Sequence, residues 1–184
     1  MTVNAIAAWH QEHEYFAKLL RVLQREIDAF HCGDTPNYQL MLDIISYLRE
    51  WGDRFHHPRE DEAFARLARR APDRELPIAR LKQEHRIIVH AGEALRRLLE
   101  EAADDAMIPR IEVEVAAASY LVYYGNHIAK EEEDILPRAA EVLTREDWEA
   151  VKNAVHPGQD PLFGDHPEER FRELRRRISA ESTV

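Results

Sequence analysis

Four stretches of this chain repeat apolar residues at intervals of three and four, and each carries a histidine on its apolar side. That period specifies amphipathic α-helices whose inner faces must meet. The first stretch spans about residues 3–30 and shows Ile6, Trp9, Phe16, Leu20, Leu23 and Ile27 on its stripe. It stops at CGDTPN, where glycine and proline break helices. Thr35-Pro36 then opens the second stretch, with the hydroxyl as cap and the proline in the first turn. This stretch carries Met41, Ile45, Leu48, Gly52 and Phe55 and continues to about residue 70. Pro58 interrupts it, so a kink is expected near His57. The third stretch, about 77–103, shows Leu81, Ile88, Leu95 and Leu99. The acidic turn DDAMIP leads to the fourth, about 109–136, which Pro137 ends or bends. Short connections make antiparallel neighbours. The expected fold is all-α, an up-down-up-down four-helix bundle over residues 1–142. Residues 143–184 are expected to form a C-terminal helical extension packed on it. There TREDWEAV reads as a capped short helix, HPGQDPLFGDHP as a loop, and EERFRELRRRI as a last amphipathic helix.

Composition narrows the function. The formal net charge of −10 argues against nucleic acid, whose binding requires cations to displace counterions from phosphate. The dense basic run RELRRR at 172–177 reads as a solvated helix face. No apolar run approaches the roughly 18–20 residues needed to span a bilayer, so no membrane partner is expected. The start, MTVNAIAAWHQEH, lacks the basic and apolar regions of a secretory signal. With Cys32 alone there is no internal disulfide, which fits a cytoplasmic protein.

The histidines carry the chemistry. His13 lies on the first stripe, His56 with Glu60 on the second, His85 on the third, and His127 with Glu131 on the fourth. A spacing of four puts each HxxxE pair on one helix face. At about 1.5 Å per residue, the four histidines fall at similar depths from one end of the bundle, which amphipathicity does not require. Buried imidazoles and carboxylates at one level need compensating charge, and a dication or two supplies it. In the HHP run, His56 continues the inner stripe. His57 extends the polar stripe of Glu50, Asp53 and Arg54, with Asp61 beyond. If His57 were the ligand instead, Asp61 would replace Glu60. His10 shares a face with His13 and reads as core or entry-path packing, with a supporting or alternative-ligand role as the other reading. Tyr124 can point inward, either to donate to a bound oxygen species or to fill the core. Trp9, Trp51 and Phe55 read as core.

These residues resemble a family. HxEH near the start, HHPxED in the second helix, EH opening the third and HxxxEEExxLP in the fourth resemble the hemerythrin/HHE cation-binding family over residues 6–140. The DW and DPLFG pieces of the tail are similar to those of bacterial hemerythrin-like proteins. The resemblance implies two irons in the bundle core, joined by an oxo or hydroxo bridge. His13 and His56 would serve one iron, His85 and His127 the other, and Glu60 and Glu131 would bridge. Zinc and manganese accept the same ligands. One position departs from the oxygen carriers, which have a second histidine four residues after the first on the third helix. Here it is Val89. His90, about 100° further round, faces the polar side. The expectation is an iron with an open position, or one completed by Glu132.

The implied function is a non-haem di-iron protein that binds or senses oxygen, nitric oxide or peroxide. The alternatives are a di-iron enzyme of peroxide decomposition or iron–sulfur repair, and an iron store or sensor. Its expected partner is that diatomic ligand or peroxide; monomer and homodimer both remain open.

Overall fold

The computed structural model describes residues 2–104, 106–155 and 158–181. Asp105 of the DDAMIP turn, and His156 and Pro157 at the start of the tail loop, lie outside them. Every regular element among the described residues is helical, so the all-α expectation holds. The first helix, α1, spans Thr2–Cys32. The second is built from α2 (Tyr38–Tyr47), a π-helical segment (Leu48–His56) and α3 (His57–Arg70). The third is α4 (Glu75–Ala103). The fourth joins α5 (Arg110–Lys130), a π turn (Glu131–Ile135) and α6 (Leu136–Val142).

Asn37, not Thr35, caps α2. Its side-chain oxygen accepts the Leu40 amide at 3.0 Å, the reach of a cap residue to the third helical amide. Thr35 stands two residues too early for that bond. The interruption expected at Pro58 takes the form of a change in hydrogen-bond register. Pro58 sits in the first turn of α3, directly after one π segment, and Pro137 sits in the first turn of α6, directly after the other. A proline has no amide to donate and its ring crowds the carbonyl four residues back. A wider i→i+5 turn moves that carbonyl aside.

Cross-helix contacts fix the directions. Glu12 of α1 meets Arg59 of α3, and Glu26 nearer the far end of α1 accepts the Asn37 amide at the start of α2. Arg49 pairs with Glu93 at 2.8 Å and Asp61 with His85 at 3.0 Å. Gly92 of α4 lies against Tyr120 of α5, and Glu84 of α4 meets Lys130. Residue numbers therefore run in opposite senses along each neighbouring pair, so consecutive helices are antiparallel.

Two apolar clusters form the core. The larger holds Phe16, Leu23, Ile45, Leu48, Ile88, Leu95 and Tyr120, and the smaller holds Trp9, Phe64, Leu67, Leu81, Ile135 and Leu136. On each of the four bundle helices the buried polar residues fall between the two. The tail joins both clusters. α7 (Arg145–Ala154) opens with a reciprocal Thr144–Asp147 cap and sets Trp148 edge-on to Trp9. α8 (Arg172–Glu181) adds Leu174 and Ile178 to the larger cluster. Between them, Asp160 accepts the amides of Leu162 and Phe163, and Phe163 stacks on Tyr15. No helix among the described residues is long and apolar enough to cross a membrane.

Candidate metal centre

His13, His56, Glu60, His85, His127 and Glu131 are all buried in the layer between the two clusters. One oxygen of Glu60 lies 3.2 Å from His13 Nε2 and 3.0 Å from His56 Nε2. Its other oxygen lies 3.6 Å from His85 Nε2. Glu131 does the same from the opposite wall. Its Oε2 is 3.4 Å from His13 Nε2, and its Oε1 is 3.1 Å from His127 Nε2 and 3.6 Å from His85 Nε2. Each glutamate thus turns one oxygen to the His13–His56 pair and one to the His85–His127 pair.

The two glutamates face these imidazoles without an aligned hydrogen bond. None of the four carboxylate oxygens, nor Nε2 of His85 or His127, has an aligned hydrogen bond despite complete burial. Leaving such atoms unpaired among protein groups is costly. The Nε2 atoms of His13 and His56 stand 2.8 Å apart. Two donors at right angles on a cation, each at about 2.1 Å, stand about 3.0 Å apart. The donor set therefore fits metal ions.

The outward nitrogens fix which atom faces in. Nδ1 of His13 meets Glu132 at 2.6 Å, Nδ1 of His85 meets Asp61 at 3.0 Å, and Nδ1 of His127 meets Glu84 at 3.3 Å. Nδ1 of His56 meets Glu12, which Arg59 holds with bonds of 2.9 and 2.8 Å. An Nδ1–H that donates to a carboxylate leaves the Nε2 lone pair for the centre and raises its basicity. Several expectations resolve on this point. Glu132 stands behind His13, with His10 on its other oxygen, so neither reaches the centre. Asp61 supports His85 and does not replace Glu60. His90 is exposed. Val89 lines a surface pocket of about 550 Å³ together with Arg49, Asp53 and Arg96.

His57 departs from the sequence reading. It was expected on the polar stripe, yet it is 3% exposed and stacks on His85 with ring centroids 4.3 Å apart. Donor atoms of His57, Glu60, His85 and His127 lie within 4.8 Å of one another. A regular α-helix places consecutive residues about 100° apart. The π segment ending at His56 turns less per residue, so both histidines fit the inner arc. The signal was the HHP run itself, since a proline inside a helix marks a possible register break.

Tyr124 is buried, and its hydroxyl has no hydrogen-bond partner. Its ring centroid is 5.7 Å from that of His57. The space beside Gly52 is filled by this hydroxyl, which a Cβ at position 52 would meet at 2.7 Å. Gly52→Ala should therefore destabilise the protein by about 1–3 kcal/mol through overpacking. Urea unfolding measures this, and an unchanged midpoint would show that Tyr124 moves aside freely.

Burial opposes charge throughout the layer, and pairing overcomes it. Glu132, Glu60 and Glu131 outweigh burial at His13 and push it up to about 10. Asp61, Glu131 and Glu60 push His85 up to about 11 against the same opposition. His127 is raised by Glu131 and Glu84. Burial would raise Glu60, but His56, His13 and His85 hold it well below the ordinary carboxylate range. Burial and Glu60 push Glu131 up, and His127 with His85 brings it below its usual value. His57 differs, because burial and His85 drive it well below the ordinary imidazole value.

A bundle of antiparallel helices with a buried layer of imidazoles and carboxylates defines a helical metal-binding protein. The hemerythrin HHE cation binding domain model matches residues 4–139, and the chain belongs to that family. No curated protein and no solved structure matches the chain.

Proposed function

We propose that the layer holds two iron ions and that the protein binds or senses a small ligand there: oxygen, nitric oxide or peroxide. The observation that carries this reading is the split of both glutamates, each giving one oxygen to each histidine group. His13 and His56 hold one ion, His85 and His127 the other, and Glu60 and Glu131 bridge them. Iron, when bound, supplies a redox-active centre with positions open to an added ligand.

The chain's own residues determine what can arrive. The donors are buried, with Trp9 and Phe16 edge-on to His56 and Phe64 stacked over His85, so the layer has room only for a molecule of a few atoms. The unpartnered Tyr124 hydroxyl is available to donate a hydrogen bond to such a ligand. Glu12, Glu84, Asp61 and Glu132 hold the rings in place, so the donors need little rearrangement when a ligand enters.

Metal analysis with an absorption spectrum of aerobically purified, iron-reconstituted protein tests the proposal. About two irons per chain are expected, with near-ultraviolet charge-transfer bands that shift when azide is added. A single iron per chain, or two irons with no response to azide, overturns it.

A further inference from the structure

We infer that His57 is a fifth imidazole of the centre, joining His85 and His127 on one ion and leaving the added-ligand position on the ion of His13 and His56. This rests on the two-ion reading above.

Three observations carry it. His56 and His57 are adjacent in sequence and both buried, but their rings diverge, with centroids 5.7 Å apart and planes 64° apart. His56 turns to His13, at 4.7 Å between centroids, and His57 stacks on His85, at 4.3 Å. The residue pair therefore divides between the two groups, as the oxygens of each glutamate do.

The donor distances sort the same way. His57 falls in one cluster with Glu60, His85 and His127, while His13, His56 and Glu60 form the other.

The outer nitrogen of His57, like those of the other four rings, has a carboxylate beside it. Its Nδ1 faces a carboxylate, Asp53, at 3.3 Å. This pair is not aligned as a hydrogen bond, unlike the other four. With Nδ1 turned to Asp53, Nε2 is the nitrogen left for the centre. A histidine that merely filled the core would need neither a carboxylate behind it nor donors in front.

The consequence is asymmetry. Three imidazoles and one oxygen from each glutamate nearly complete a six-coordinate ion, and two imidazoles with one oxygen from each do not. The imidazole lacking at Val89 on the third helix is thus supplied from the second helix by the π segment. The open position moves to the other ion, beside Phe16, whose ring lies edge-on to His56 at 4.9 Å.

Cobalt(II) titration of the chelator-treated full-length chain tests this. The unmodified protein should bind two ions and show five hyperfine-shifted exchangeable ring N–H signals by NMR, one for each coordinated histidine. His57→Ala should keep one ion and bind the second at least about tenfold more weakly. Added imidazole should restore the second ion, which a packing role would not allow. Four N–H signals in the doubly loaded unmodified protein overturn the inference, even if the alanine variant does not fold. Equal affinity for both ions in a folded His57→Ala protein overturns it as well. Fewer than two ions in the unmodified protein overturns the two-ion reading itself, and the inference with it.

Discussion

Replacing Glu60 and Glu131 together with alanine should abolish binding of both ions of the proposed centre, whereas removing one supporting carboxylate should only weaken it. The difference follows from how the oxygens are shared. Each glutamate faces both histidine groups, so the double variant takes two anionic donors from each ion at once. What remains is a set of neutral imidazoles in a buried layer, where a dication without anions is poorly compensated. A lost supporting partner such as Glu84 costs about 10–100-fold in affinity. Loss of both bridges should exceed that range for each ion. The two single variants should not add, because the groups they disturb are the same. Glutamine at both positions is the control for volume. It keeps the shape, removes the charge, and should bind nearly as poorly as alanine. The fold should survive, because the larger apolar cluster contains none of these residues. Metal analysis after dialysis, with far-ultraviolet circular dichroism, gives the answer. Full retention of metal in the folded double variant would sink the bridging assignment.

The sequence made the stripes legible because an amphipathic helix repeats its period wherever it is buried. Ile6, Phe16, Ile45, Leu81, Ile88 and Leu95 therefore appear in the core as expected. The buried polar layer was legible because buried imidazoles and carboxylates must meet. His13, His56, Glu60, His85, His127 and Glu131 are brought together. Two things were not legible. The π segments change the angular step between residues, and a reading at a constant 3.6 per turn carries the wrong phase past them. His57 was misplaced for that reason. The supporting carboxylates look like ordinary solvated charges, and their partners lie on other helices. Glu12 precedes His13 in the chain yet supports His56, and Glu84 precedes His85 yet supports His127. Only the packing of neighbouring helices decides such pairings.

Metal should stabilise the protein more at high pH than at low pH. Without a cation, the glutamates and supporting carboxylates keep protons on His13, pushed up to about 10, and on His85, pushed up to about 11. Both lie above the ordinary imidazole value of about 6.5. A group whose folded value is raised stabilises the fold fully below its unfolded value. That stability is lost as pH rises toward the folded value. The metal-free protein should therefore weaken progressively between about pH 6.5 and 10. Metal binding runs the other way. An imidazole must lose its inner proton to bind a cation, so loading releases protons and affinity rises with pH. Each proton released changes the binding free energy by about 1.4 kcal/mol per pH unit. At a free ion concentration 1,000 times the dissociation constant, one ion contributes about 4 kcal/mol. For a chain of this length that is roughly a 10 °C rise in Tm. Chelator-treated and zinc-loaded protein, melted at pH 6.5, 7.25 and 8.0, should show a Tm difference that grows at each step. A constant difference would mean that the imidazoles hold no proton for the metal to displace, and that their carboxylate partners do not set their charge.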